Sequence, residues 1–395
     1  MKTMGALPAA GAVAVSAGCA TAPTAAAAGR DVIAELGVTK LINAAGTYTA
    51  LTASKMRPET MAAIVQARES YCDLNELHDA VGKRIAEHVK SEAAMVSAGC
   101  ASALTLATAA CVAGKDPEKI RRIPDTEGMK DEAIIQKSHR LGYDHAIRNA
   151  GVKLIEVETR AELDAAISEK TALMVYMNTS DLDGEIHHEE FVQVAKAAGV
   201  PTLIDAAADV PPVENLWRFT EMGFDLVAFS GGKGLRGPQS AGLLLGRKDL
   251  IEAARLNNVP NGDTVCRSNK VNKEELVGML VALELYLDQD HDAVWADWEA
   301  RCATIAEAAK AVAGVESEVF VPEIANAVPH LRLTWDYDAK GLRPEEAAKK
   351  LRDGEPSIAV RPGSERANAL EIGVWMMDDG DDAIVAKRVA EVLSA

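Results

Sequence analysis

Aromatic residues are scarce, at 4% of a 395-residue chain. Single-stranded nucleic acid is held largely by bases stacked on aromatic rings, so that mode of binding lacks its platforms. Basic residues are also short, 42 against 59 acidic ones, for a formal net charge of −17. Phosphate-backbone binding needs clustered Lys and Arg that release counterions, and no nucleic-acid partner is expected. The cysteines Cys19, Cys72, Cys100, Cys111, Cys266 and Cys302 include no C-x-x-C pair. That spacing argues against a zinc ribbon, a thioredoxin-type redox site or a dense disulfide framework. In the body of the chain no apolar run reaches the roughly 18 to 20 residues needed to span a bilayer. What the chain does have, 48% hydrophobic and 26% charged residues, fits an ordinary globular protein. Its length suits about two or three domains.

Residues 1–29 stand apart, with one lysine, no acid, an apolar stretch from Met4 to Ala17 and then a small-residue tract. This is the layout of a secretory signal, the alternative being a disordered Ala-rich leader. Ser16-Ala17-Gly18-Cys19 resembles a lipoprotein processing site, and an acylated Cys19 would be a lipid anchor without a spanning helix. The opening Met-Lys-Thr resembles the tail of a twin-arginine signal, which predicts an upstream start encoding two arginines. An exported location, periplasmic or lipid-anchored, is expected over a cytoplasmic one.

From about residue 40, short β-branched runs alternate with helix-period segments, the signature of an α/β fold with a mainly parallel sheet. The expected strands are Ala93–Ser97, Ala133–Gln136, Lys153–Val157, Ala172–Met177, Thr202–Asp205, Leu226–Ser230 and Ala241–Gly246. After residue 270 the texture changes. Long helices at Lys273–Leu287 and Val294–Ala313 lead to strands Glu318–Val321, His330–Trp335, Ile358–Arg361 and Glu371–Trp375, with a helix at Pro344–Arg352. The expected organisation is a leader (1–29), an N-terminal arm (30–44), a large domain (45–270) and a smaller α+β domain (271–395).

The most informative segment is Phe229-Ser230-Gly231-Gly232-Lys233-Gly234-Leu235-Arg236-Gly237-Pro238. Gly232-x-Gly234-x-x-Gly237 matches a dinucleotide fingerprint by letter, but Pro238 and a strand follow where a helix should open. A P-loop fails as well, because Gly234 follows Lys233 where Ser or Thr is required. A lone lysine in a glycine turn is ordinarily a solvated loop residue. As a nucleophile it must be neutral, which a Schiff base with a cofactor aldehyde achieves covalently.

Partners give that lysine meaning. Asp205 ends a buried strand 28 residues before Lys233, where a carboxylate is costly unless it meets a cation such as a protonated pyridine nitrogen or caps a helix. Gly99-Cys100-Ala101-Ser102 follows the first strand and opens an apolar helix, as a phosphate-binding helix N-terminus or a tightly packed turn would. Ser230 could add a hydroxyl to the same phosphate. His187-His188-Glu189-Glu190 is not H-E-x-x-H, and Asp378–Asp382 lacks the spacing of a calcium loop and reads as a solvated turn, so no metal site is expected.

With these residues the chain resembles the fold-type-I pyridoxal 5′-phosphate enzymes related to selenocysteine synthase (L-seryl-tRNA selenium transferase) and D-glucosaminate-6-phosphate ammonia-lyase. The resemblance runs through Leu41–Thr47, Ser97–Ser102, Ile204–Ala208 and Phe229–Gly234. It implies that Lys233 bonds the cofactor, that Asp205 holds the pyridine nitrogen, and that Gly99, Cys100, Ala101, Ser102 and Ser230 hold the phosphate. By the same resemblance His139 stacks on the cofactor ring, Asn178 reaches its phenolic oxygen and Arg361 clamps a substrate carboxylate. The implied function is α,β-elimination on a small amino acid or amino sugar acid, a small-molecule amine, by a homodimer or higher homo-oligomer. Alternatives are an aminotransferase, a selenium-transferase-like enzyme or a non-catalytic binding protein of the same fold. Gly46–Leu51 lacks the basic and histidine residues of the synthase motif, and with the acidic charge this removes expected support for selenium chemistry on tRNA.

Overall fold

A run such as Thr171–Met177, buried at every position, forms a strand because β-branched and long apolar side chains fill both faces of a pleated sheet covered by helices. The computed structural model describes residues 29–363 and 368–394, so Cys19 and all of the leader except Gly29 lie outside the described residues. The chain divides into residues 1–40 and a compact unit Leu41–Ala395. In the first, Asp31 caps the short helix Val32–Glu35 by accepting from the Ala34 N–H at 3.2 Å.

In chain order the strands of the second unit are β1 (Leu41–Asn43), β2 (Ala93–Ser97), β3 (Glu132–Gln136), β4 (Lys153–Val157), β5 (Thr171–Met177), β6 (Thr202–Asp205), β7 (Leu226–Ser230) and β8 (Gly242–Gly246). They continue as β9 (Val315–Phe320), β10 (His330–Trp335), β11 (Ser357–Ala359), β12 (Arg361–Pro362) and β13 (Leu370–Gly373). The main sheet has seven strands in the order β2-β8-β7-β6-β5-β3-β4. All its pairings are parallel except those of β8, which runs antiparallel to β2 and β7. The segment Gly231–Ala241 carries no crossover helix, so the chain can return only antiparallel.

The period of two divides the β5 side chains between two cores. Met174 and Tyr176 join Ile204, Val227 and Phe229 on one face. Leu173, Val175 and Met177 join Leu203, Leu226 and Ala228 on the other. Register pairs Met177 with Asp205 and Asp205 with Ala228, which brings the carboxyl ends of β5, β6 and β7 to one edge. In open α/β sheets this edge is where ligands bind.

The smaller C-terminal layer is an antiparallel sheet, β12-β13-β10-β9, over its own core. Here the structure departs from the expected segments. Ile358–Arg361 is two strands rather than one: β11 pairs with β1, while β12 pairs with β13. Pro362 lacks an N–H donor, which suits the sheet edge that β12 occupies. The pairing of β1 with β11 ties residues 41–43 to the C-terminal layer. The aspartate run at 378–382 is more than a turn. Asp381 and Asp382 form the first turn of the helix Asp381–Ser394, where acids complement the helix dipole.

Helix Leu74–His88 lies against β2 through Gly82, where an added Cβ would stand 2.3 Å from the Ala94 carbonyl oxygen. Gly82→Ala should cost about 1–3 kcal/mol by forcing the helix off the sheet. A urea midpoint equal to that of the parent would reject this close approach.

Candidate active site

Lys233 sits in a turn whose shape is set by backbone bonds. Gly231 N–H donates to the Ala241 carbonyl at 2.9 Å, and Gly237 N–H to the Gly231 carbonyl at 2.8 Å. A Cβ on Gly232 would lie 2.5 Å from Gln239 Cα, and one on Gly234 would lie 2.0 Å from the Val210 carbonyl oxygen. The bare backbone at position 234 therefore lets the lysine turn dock on the segment that follows Asp205.

Lys233, Asp205 and Arg361 line one cavity of about 240 Å³. The Asp205 carboxylate accepts from the Ala207 N–H at 2.9 Å and from the Cys100 thiol at 3.5 Å, and it has no ion pair among the described residues. Burial pushes its pKa up, against the opposing pull of the Ala207 N–H, Lys233 and Cys100. The Cys100 thiol is itself pushed well up by burial and by Asp205, so it remains a neutral donor.

The expected phosphate turn opens the helix Gly99–Ala113, whose N-cap, Ala98, supplies no side-chain bond. Its first N–H groups are thus free of a side-chain cap, and Gly99 adopts the left-handed φ of +78° that favours glycine. Ser102 is buried, and its hydroxyl reaches Cys266 Sγ at 3.8 Å and accepts from Asn269 Nδ2 at 3.3 Å. That hydroxyl is engaged in the protein interior. Ser230 closes β7 beside Gly242 of β8.

Two of the expected residues are placed differently. His139 is wholly buried; its ring meets Tyr176 edge-on at 4.5 Å, and Nδ1 accepts from the Met177 N–H at 3.2 Å. Burial holds its pKa down to about 4, so it is a neutral packing group and offers no face to the cavity. Leu141 and Tyr143 line the cavity from that part of the chain. Asn178 does not line the cavity either. Its Oδ1 meets His188 Nε2 at 2.7 Å, and its side chain hydrogen-bonds Asp209.

Three residues at the site, Asp209, His330 and Trp375, escaped the sequence reading. Asp209 is buried and pushed up to about 6, by burial first and also by Asp205, against the lowering bonds from Asn178 and the Ala325 N–H. The spacing of Asp205 and Asp209 across three alanines was a visible signal. Arg361 stands over the Tyr48 ring at 5.5 Å and 3.7 Å from Glu371. His330, at the start of β10, bonds the Val328 carbonyl through Nδ1 at 2.7 Å. A carbonyl only accepts, so Nδ1 carries the proton, while burial lowers the pKa of the ring and keeps Nε2 an acceptor. Trp375 lines the same cavity, and its Nε1 donor has no partner among the described residues.

Residues 41–296 match the L-seryl-tRNA selenium transferase family. D-Glucosaminate-6-phosphate ammonia lyase of Salmonella typhimurium (strain 14028s / SGSC 2262) is 28% identical, over 92% of this chain and 98% of the relative. A 5′-C-glycyluridine monooxygenase-decarboxylase of Streptomyces sp is 29% identical over 91% of each chain. A solved D-glucosaminate-6-phosphate ammonia-lyase superposes with a TM-score of 0.81 at 27% identity, over 92% of this chain and 98% of that one. A serine palmitoyltransferase of S. paucimobilis, solved with bound PLP, shares the fold at a TM-score of 0.58 and 14% identity, over 90% of this chain and 87% of that one. The architecture is that of the fold-type-I enzymes, and with the match spanning β1 to β8 the chain belongs to the L-seryl-tRNA selenium transferase family.

Proposed function

We propose that this protein is a pyridoxal-phosphate-dependent lyase that carries out α,β-elimination on a small amino acid or amino sugar acid. The observation that carries the reading is one cavity shared by a turn-borne amine, Lys233, and a desolvated carboxylate, Asp205, that has no ion pair among the described residues. The residues fit the cofactor. An unpaired buried acid gains from a protonated ring nitrogen, and an uncapped helix N-terminus gains from a phosphate. Lys233 would hold the cofactor aldehyde, Asp205 its ring nitrogen, and the turn Gly99–Ala101 its phosphate. When bound, the cofactor supplies an acceptor for the electrons released at the substrate α-carbon.

The remaining work falls to this chain. Lys233 Nζ is the base for the α-proton. Arg361 orients the substrate carboxylate through its planar fork, and Glu371 and the Tyr48 ring hold that guanidinium in place. His330, which lines the same cavity, accepts a proton at Nε2 and can return it to a leaving group, because its other nitrogen is committed to Val328. A homodimer is part of the proposal, and the exposed Tyr143, which lines the cavity at 72% exposure, supports it. The similarity to a monooxygenase-decarboxylase favours a second reading, decarboxylation in the same cavity.

Borohydride reduction of the cofactor-loaded protein should fix the cofactor on the peptide that carries Lys233, and Lys233→Ala should abolish the adduct. An adduct on another lysine would reject the site. In unreduced, cofactor-loaded protein given D-glucosaminate 6-phosphate, release of ammonia and a keto acid without carbon dioxide is expected, and carbon dioxide release would transfer the protein to the second reading.

Asp205→Asn should retain cofactor while turnover falls by about a hundredfold or more, because an amide cannot keep the ring nitrogen protonated. Turnover equal to the parent's would remove that role.

Asp209 supplies a pH-dependent test. Its pKa is near 6 when folded and about 4 when unfolded, so the folded chain binds the extra proton between those values. Stability from this residue is full below about pH 4 and is lost as the pH rises through 6. In the protein without added cofactor, Asp209→Asn should match the parent near pH 4 and exceed it by about 2–3 kcal/mol at pH 8. A pH-independent difference between the two urea curves would show that the buried charge is not the cause.

A further inference from the structure

A second cavity, of about 580 Å³, shares Trp375 with the catalytic one, and the lysine turn contributes to both: Lys233 to the first, Gly234 and Arg236 to the second. Three guanidinium groups line it, those of Arg57, Arg236 and Arg301, together with Glu59, Asp297, Asp378 and Asp379. Most of these charges are already matched. Arg301 pairs with Asp297 at 2.7 Å and Asp379 at 2.8 Å, and it donates to the Met377 carbonyl at 2.8 Å. Asp378 pairs with Lys55. Glu59 is exposed in the first turn of helix Pro58–Ala67, where solvent and the helix dipole accommodate its charge.

Arg57 and Arg236 are left over. Both are half-buried, and neither has an ion pair among the described residues. Arg57 donates to Gln289 Oε1, and Arg236 donates through Nε to the Lys55 carbonyl at 3.0 Å. Both Nη groups of Arg236 therefore remain free of acceptors among the described residues. Burial weakens the charged form of each guanidinium; Arg236 weakens that of Arg57 further against the pull of Glu59, and Asp378 favours that of Arg236 against Arg301. A guanidinium does not escape by losing its proton, so the N–H groups that Arg57 and Arg236 leave without acceptors are available to an anion entering the cavity they line.

We infer that this cavity is an oxyanion site, in which Arg57 and Arg236 together hold a phosphate-class group through the N–H groups that Gln289 and the Lys55 carbonyl leave free. The site sits where either the distal anionic end of the substrate or a free anion could reach it. The first source rests on the function proposed above, and the second does not.

Titration calorimetry of inorganic phosphate into the protein saturated with pyridoxal phosphate tests the site without requiring turnover. Pre-loading keeps the phosphate probe out of the cofactor's own anion pocket, and the same titration on unloaded protein remains informative if the cofactor does not bind. One phosphate per chain is expected. Arg57→Gln and Arg236→Gln should each weaken it about tenfold or more, while Arg361→Gln leaves it unchanged. Arg57→Lys and Arg236→Lys keep the charge and the fold but lose the fork, and should fall between parent and Gln variants. Phosphate binding unchanged in all four variants, or absent in the parent, overturns the site. Saturating D-glucosaminate 6-phosphate abolishes the phosphate heat if the substrate's own end fills the cavity. Persistence of that heat identifies a free anion as the occupant.

Discussion

The contact on which the site depends is backbone against backbone: Gly234 packed on the Val210 carbonyl oxygen, with no room for a side chain between them. Val210 belongs to the segment that leaves β6 after Asp205, and Gly234 follows Lys233, so this one approach brings acid and amine to a common cavity. Strand register does the rest. β6 and β7 pair in parallel with Asp205 opposite Ala228, which places both strand ends on one edge before any side chain acts. A methyl group at position 234 would have to shift one of the two segments, and with it the separation of the reactive groups.

Placing Asp205 and Asp209 four residues apart and burying both is unfavourable in the chain alone, since burial pushes each carboxyl toward its neutral form. The half-buried pair Arg57 and Arg236 carries the opposite imbalance in the adjoining cavity. Elsewhere charged side chains form pairs such as Arg140 with Asp144 at 2.5 Å and Arg247 with Asp249 at 2.7 Å. Asp205 and Asp209, pushed toward their neutral forms beside the lysine turn, place perturbed carboxyls where bound groups act.

The strands of the large sheet were legible because their hydrophobic runs are long and their ends are marked by glycine or acid; β2, β4, β6 and β7 coincide with the expected segments. Short elements were not. The three residues of β1 show no alternation, and their partner β11 lies more than 300 residues away, so the pairing is purely tertiary. Lys233 and Asp205 were readable from local context, since a lysine in a glycine turn and an acid at a strand end are each anomalous. His139 and Asn178 were misplaced because position after a strand does not say which way a side chain points. Both turn into the interior against Tyr176 and His188, and neither enters the cavity.

The family match ends at residue 296, while Arg361, His330 and Trp375 come from the C-terminal layer beyond it. The residues proposed to hold the cofactor thus lie inside the matched segment, and three other residues that line the cavity lie outside it. Relatives of nearly equal identity over nearly the whole chain are named for ammonia loss and for oxidative decarboxylation. In this chain the parallel sheet fixes the amine and the acid, and a separately packed sheet brings Arg361, His330 and Trp375 to the same cavity. The β1–β11 pair is the covalently short link between the two, because residue 43 leads directly into the Ala45–Tyr48 wall of the cavity. A shift of the C-terminal layer relative to the main sheet therefore moves Tyr48 and Arg361 together while leaving Lys233 and Asp205 where the strands hold them.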